Sequence, residues 1–255
     1  MIVMGLAQEL ERIAGMSWRV PALLAVNPWL GRGEIMPHRR GAAQPNHHHG
    51  DVLIRWARLY DIEIRLWGHR GRRWRTDLAR RLELRPGDRA LDVACGTGRL
   101  AFELAGHVGP DGSVDGIDAA TEMVNRAAAT NRRLRLPVRF QAALAQRLPF
   151  PDDTFNAVTC TLALHHIADD DRRQAVEEIR RVLQPGGRLL IADFQSPASR
   201  PARYLTRRLF GHAMAQRPLE QASDLLEAVG FIGLARDTTT TSWIGLVIGT
   251  KPCPE

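Results

Sequence analysis

Hydrophobic positions along the chain change period at about residue 85. From residue 53 to residue 84 they fall at helical spacing. Ile54, Trp56, Leu59, Tyr60, Ile64 and Trp67 alternate with arginines, Gly68 and Gly71 break the pattern, and Trp74, Leu78 and Leu82 resume it. Two helices are predicted there. Arg85-Pro86-Gly87-Asp88 reads as a turn, and beyond it short aliphatic runs alternate with amphipathic ones. The pattern predicts strands over residues 89–94, 113–118, 138–142, 154–161 and 188–194, with helices over 99–107, 121–129 and 172–183. The last of these strands follows the turn Pro185-Gly186-Gly187. Such alternation implies an α/β fold: a mostly parallel sheet, helices on both faces, and ligands at the carboxyl ends of the strands. The tail departs from it. Helices are predicted over 202–214 and 219–229, then β-rich runs at 230–236 and 242–249 joined by polar residues, a hairpin that closes the sheet.

Residues 1–50 lack this order. Pro21, Pro28, Pro37 and Pro45 sit among glycines, and the stretch ends in His47-His48-His49, a tract read as disordered rather than metal-binding. The expected division is a poorly ordered extension over 1–50, a helical segment over 51–84 and the main domain over 85–255. Met36 is an alternative start. No apolar run reaches the roughly 20 residues of a membrane-spanning helix. Glu9 and Glu11 occupy what would be the basic region of a signal peptide, so a cytoplasmic protein is expected.

Charge refines this reading. The net charge is +7, and residues 1–90 hold 16 arginines against 9 acids, whereas the remainder is balanced at 19 and 19. A basic leading segment suits a membrane surface, a phosphate-bearing molecule or nucleic acid, or is simply a solvated face. Cys95, Cys160 and Cys253 are odd in number and far apart, so they suggest buried thiols and neither a disulfide framework nor a zinc site.

Chemistry concentrates at Leu91-Asp92-Val93-Ala94-Cys95-Gly96-Thr97-Gly98-Arg99-Leu100, a buried strand breaking into a glycine turn and then a helix. Gly96 and Gly98 allow backbone conformations closed to other residues, and the helix start aims free N–H groups at the same point. Gly96-x-Gly98-x-x-Ala101 with Asp118 further on also fits a dinucleotide fingerprint, which leaves an NAD(P)-dependent oxidoreductase open.

The run Asp92 to Gly98 closely resembles motif I of class I S-adenosylmethionine-dependent methyltransferases. Leu148-Pro149-Phe150-Pro151-Asp152-Asp153-Thr154-Phe155, Leu164-His165-His166 and Arg181-Val182-Leu183-Gln184-Pro185-Gly186-Gly187 follow in that family's order. Tyr60-Asp61, residues 84–88 and residues 188–194 with Pro197 are most similar to the ubiquinone/menaquinone C-methyltransferase group, and the likeness covers residues 53–251. It implies a Rossmann-like, seven-stranded sheet with an antiparallel C-terminal strand and an N-terminal helical lid.

The resemblance also implies roles. Asp92, Gly96, Thr97 and Gly98 line the methionine end of S-adenosylmethionine, the turn's N–H groups reaching its carboxylate. Asp118 accepts the ribose hydroxyls, with a helix cap as its alternative role. Adenine is expected at Leu144 and Ala145, where relatives carry a polar side chain that this chain lacks. Thr161 to His166 face the transferable methyl. The quinone enzymes carry Arg-Asn where this chain has His165-His166, so their acceptor chemistry does not transfer directly. A histidine at this point partners an N-terminal tyrosine in phosphoethanolamine N-methyltransferases, which makes His166, with His165 beside it, and Tyr60 the catalytic candidates. His212 lies in the region that shapes the acceptor pocket.

Methyl transfer from a sulfonium is chiefly a matter of in-line positioning in a site that excludes water. The expected acceptor is small and apolar, a quinol, a phenol or a lipid-like molecule; the alternatives are an amine or phospholipid headgroup, or a non-catalytic cofactor-binding module. Tryptophans among arginines in residues 53–84 suit peripheral membrane contact, or a lid whose aromatics pack on the core. Nucleic acid is not the expected acceptor. The basic segment has no continuation with stacking aromatics across the catalytic part, and no Asn-Pro-Pro-Tyr sequence follows the fourth strand.

Overall fold

The computed structural model describes residues 68–195, 218–239 and 244–254. The elements run α1 (Gly68–Arg81), β1 (Arg89–Val93), α2 (Arg99–Val108), β2 (Ser113–Asp118), α3 (Thr121–Leu134), β3 (Val138–Ala142) and β4 (Phe155–Thr161). A 3-10 turn (Leu164–His166), α4 (Asp169–Val182), β5 (Leu183–Phe194), α5 (Pro218–Val229), β6 (Ile232–Thr238) and β7 (Ile244–Thr250) follow. They build one seven-stranded sheet in the order β3-β2-β1-β4-β5-β7-β6. Strands β1 to β5 pair in parallel, and β7 runs antiparallel to both β5 and β6. The fold is the Rossmann-like sheet expected from the resemblance.

Strand order decides where a ligand can sit. The chain lays β2 and β3 on one side of β1 and then returns to place β4 on the other, so a crevice opens between the carboxyl ends of β1 and β4. Residues two apart along a strand share a face. Leu91, Val93, Leu189 and Ile191 pack with Val176, Ile179 and Leu226 of α4 and α5. Ala90, Leu190 and Ala192 pack with Trp74, Leu78, Leu100 and Leu104 of α1 and α2. Both faces are covered, which is why these strands read as unbroken apolar runs.

Several boundaries move for local reasons. Helix α1 begins at Gly68, so Gly68 and Gly71 lie within it and do not break it; in a first turn the N–H groups lack intrahelical partners in any case. Helix α3 runs on to Leu134, past the expected end at 129. The Asn131 side chain donates to the carbonyls of Leu136 and Val138 at 3.2 and 2.8 Å and accepts the Leu136 N–H, closing the turn after the helix. Helix α4 begins at Asp169, three residues early, which brings Asp170 and Asp171 into a first turn whose dipole favours carboxylates. Gly230, at φ +89°, ends α5: its N–H and that of Phe231 bond back to Glu227 and Leu226, and the hairpin therefore starts two residues late.

The segment before β4 is clasped by α4. Arg181 donates to the carbonyls of Leu148 and Phe150 at 3.1 and 2.8 Å and to Asp152 at 2.8 Å. Its partner Glu178 accepts the Leu148 N–H at 2.7 Å. Residues 1–50, most of the 51–84 segment and the expected helix at 202–214 lie outside the described residues.

Candidate functional site

The crevice between β1 and β4 is a real cleft of about 400 Å³ of atom-free space, lined by Asp92, Ala94, Cys95, Gly96, Thr97, Arg99 and Leu100 from the glycine turn and by Thr161 and Leu162 from the end of β4. Trp74 and Arg75 of α1 close its side. Of the residues predicted to line a cofactor site, the structure gathers Asp92, Gly96, Thr97 and Thr161 in this wall.

Asp92 sits on the floor. It is 1% exposed, and the Thr159 hydroxyl donates to its Oδ1 at 2.8 Å. Its Oδ2 is buried with no hydrogen-bond partner. Burial raises the carboxyl to about 7, although the Thr159 hydroxyl bond works in the opposite direction. A buried carboxylate oxygen with no donor in the wall of an open cleft calls for a donor from a ligand, and a cationic N–H group suits it best.

The two glycines of the turn differ. Gly96, at φ +54°, has nothing within 4 Å of where a Cβ would stand, so its surroundings are open. Gly98, at φ +78°, packs inward: a Cβ there would lie 2.6 Å from the Phe140 ring. Gly98 therefore serves helix and strand packing, while Gly96 leaves the approach clear. Ala94 and Leu162, at φ +57° and +52°, hold left-handed conformations at the ends of β1 and β4. For a residue as bulky as leucine this is strained, and both residues line the cleft.

Asp118 combines the two roles open to it. Its Oδ2 accepts the Gly96 N–H at 2.9 Å and its Oδ1 the Ala120 N–H at 2.8 Å, which ties the glycine turn to the end of β2. Each oxygen keeps a second lone pair for a hydroxyl donor. Leu144 is 58% exposed beyond the end of β3, and Ala145 leans on the core; neither lines the cleft.

His165 and His166 lie on the 3-10 turn beyond β4. Leu162 turns the chain there, and its N–H bonds to Ala192 of β5, so the turn crosses the end of that strand. His165 Nδ1 donates to Asp193 Oδ1 at 2.8 Å. The two side chains are 8% and 0% exposed. Asp193 also accepts the backbone N–H groups of Phe194 and His165, at 2.8 and 3.3 Å, which offsets the burial of its charge. The His166 ring is exposed and leans on His165 with centroids 3.9 Å apart. Desolvation and the neighbouring His165 lower its pKa, so it is neutral at pH 7.

Asp193, Thr159 and Trp74 were not singled out from the sequence. Asp193 had a visible signal, an acid ending the apolar run Leu189 to Ala192 where strand ends face ligands. Trp74 is 7% exposed and packs in the core, so at this position the lid reading holds against the interfacial one. Cys95 and Cys160 are buried thiols whose pKa burial pushes up, but Cys253 is exposed, contrary to expectation. Tyr60 and His212 lie outside the described residues. Among the described residues no helix is long and apolar enough to cross a membrane.

Comparison with known proteins places the site. Residues 90–187 match a family model described as a methyltransferase domain. A demethylmenaquinone methyltransferase of Symbiobacterium thermophilum is 39% identical over 134 residues, 52% of this chain and 53% of that protein. The ubiquinone/menaquinone biosynthesis C-methyltransferase UbiE of Geobacter sulfurreducens is 37% identical over 131 residues, 51% and 50% of the two chains. The chain thus spans about half the length of these curated relatives. A crystal structure of a SAM dependent methyltransferase from Aquifex aeolicus superposes with a TM-score of 0.58 at 22% identity, covering 69% of this chain and 88% of that one, a likeness of fold.

Proposed function

We infer, from residues 90–187 being a methyltransferase domain, that the chain is an S-adenosylmethionine-dependent methyltransferase whose acceptor is small and apolar, a quinol, phenol or lipid-like molecule. The observation that carries the reading is the cleft at Gly96 with the unpartnered Oδ2 of Asp92 in its wall. The names of the two curated relatives support a quinone-type acceptor.

S-adenosylmethionine supplies a methyl group on a sulfonium, already activated for transfer. Asp92 Oδ2 is placed to accept from the ammonium of its methionine tail. The open turn at Gly96 and Thr97 and the start of α2 offer N–H groups to the tail's carboxylate. Asp118 uses its spare lone pairs on the ribose hydroxyls. Leu144, exposed at the end of β3, offers an apolar surface to the adenine. Thr161 and Leu162 hold the reacting end, and Trp74 excludes water from the side. Peripheral contact with a membrane through the arginine- and tryptophan-rich residues 53–67 would bring an apolar acceptor to this edge; co-sedimentation with anionic vesicles at low salt tests that part.

Calorimetry with S-adenosylmethionine and with NAD(P)H tests the central claim, followed by transfer of labelled methyl to quinols, phenols, phospholipids and small amines. Saturable binding of the methyl donor and label on a quinol or phenol is the expected result. Binding of the nicotinamide alone overturns the reading in favour of an oxidoreductase.

A further inference from the structure

Resting on that reading, we propose that His165 is the general base of the transfer, oriented by the buried carboxylate of Asp193, and that the acceptor is a phenol or hydroquinone whose hydroxyl must give up its proton. Three observations carry this. First, Asp193 is fully buried and has only acceptor atoms to offer, so the contact at 2.8 Å puts the ring proton of His165 on Nδ1 and leaves Nε2 with its lone pair. Second, among the described residues Nε2 has no hydrogen-bond partner, yet it is absent from the fully enclosed unpartnered atoms, so it keeps some access. Third, the turn that bears it is held firmly: Arg172 Nε donates at 2.9 Å to the carbonyls of both Leu164 and Ile167. Phe194, with its ring centroid 5.0 Å away, and His166 pack on the imidazole and limit its rotation.

A purely structural ion pair would not need this arrangement. The two backbone N–H groups already satisfy Asp193, and an apolar side chain at 165 would pack on Phe194 without a buried charge below it. A neutral imidazole with one nitrogen fixed and the other free at the carboxyl edge, four residues past the cleft-lining Thr161, is the usual form of an oriented base.

The chemistry selects the acceptor. A neutral amine attacks a methyl group with no base, whereas a phenolic hydroxyl, at pKa near 10, is a weak nucleophile until deprotonated. The hydroxyl proton passes to His165 Nε2, and Asp193 stabilises the imidazolium that forms. The ring carbon, or the oxygen, forms its bond to the methyl carbon as the methyl–sulfur bond breaks and its electron pair stays on sulfur. After reaction at carbon, the ring C–H proton leaves to water and the oxygen recovers a proton from the imidazolium, so one proton is released per turnover. After reaction at oxygen, the imidazolium gives its proton to water.

The test uses the full chain with S-adenosylmethionine. Long-range nitrogen-15 correlation spectra read the tautomer of His165 directly and need no acceptor. Protonated Nδ1 in the parent and loss of that preference in Asp193→Asn are expected; a parent ring protonated on Nε2 overturns the proposal. His165→Gln should lower kcat on a hydroquinone by roughly 10²–10⁴-fold, with donor affinity by calorimetry within about twofold of the parent. Asp193→Asn, a positioning variant, should lower kcat while leaving the acceptor KM within about threefold. Retention of more than a third of the parent kcat in His165→Gln overturns the base, and transfer to amines but to no phenol overturns the acceptor class. A parent that binds no S-adenosylmethionine at all sinks the underlying reading instead, which keeps the two failures apart.

Discussion

Asp92 is where the fold and the proposed site pull in opposite directions, and Asp92→Asn measures both. The carboxyl rises from 3.8 to about 7 on folding, a gap of about 3 units, or about 4 kcal/mol at 1.36 kcal/mol per unit. Below pH 4 both the folded and unfolded chains hold the proton. Between pH 4 and 7 the unfolded carboxyl ionises while the folded one keeps its proton, so stability falls as pH rises. Above 7 both are ionised and the loss is complete. Asparagine cannot ionise, so this slope should vanish. It still accepts from Thr159, but its amide brings an unpartnered N–H to the Oδ2 position, which costs roughly 1–3 kcal/mol. The variant should therefore be less stable than the parent near pH 4 and more stable by roughly 1–3 kcal/mol at pH 8, as read by urea titration. S-adenosylmethionine affinity at pH 8 should fall by roughly 10- to 150-fold, the loss of a hydrogen bond to a charged group worth about 1.5–3 kcal/mol. A variant that parallels the parent across pH refutes the burial argument; one that binds the donor as tightly as the parent refutes the role of Oδ2.

Donor binding to the parent should release a proton below pH 7 and tighten by about tenfold per pH unit up to about 7, because an ammonium favours the ionised Asp92; calorimetry in buffers of different ionisation heat measures it. Gly98→Ala, which puts a Cβ 2.6 Å from Phe140, should cost several kcal/mol of stability in urea, on the order of other overpacked cores. Gly96→Ala meets nothing within 4 Å and should cost only about 1–2 kcal/mol for its left-handed backbone, while weakening the donor more than its stability loss explains. Arg135→Gly, at an exposed left-handed helix end with φ +55°, should raise stability by roughly 1 kcal/mol in a thermal melt; an unchanged melting point would count against the strain.

Strands β2 and β3 fall at their expected residues because glycine, proline or polar residues bound each apolar run, and nothing distant alters them. Helix ends were less legible. The end of α3 depends on Asn131 reaching carbonyls beyond the helix, a choice that exists only once Leu136 and Val138 are in place. Asp92 and Gly96 announced the site through a motif. Gly98 misled because Phe140, the reason for its missing Cβ, comes from a strand two places across the sheet. The pairing of His165 with Asp193 was hidden for the same reason: both residues were visible, but their contact arises from the parallel register of β4 on β5 and the strained turn at Leu162.

The Arg181 clasp bears on kinship. Leu148, Pro149 and Phe150 are among the residues by which the chain is recognised, yet Arg181 and Glu178 hold that segment to the back of α4 through its main chain. Any chain built on this sheet needs the clasp, whatever it methylates. Likeness through such segments follows descent of the scaffold, and a change of acceptor can accumulate at the strand tips, at His165 and Asp193, without erasing it.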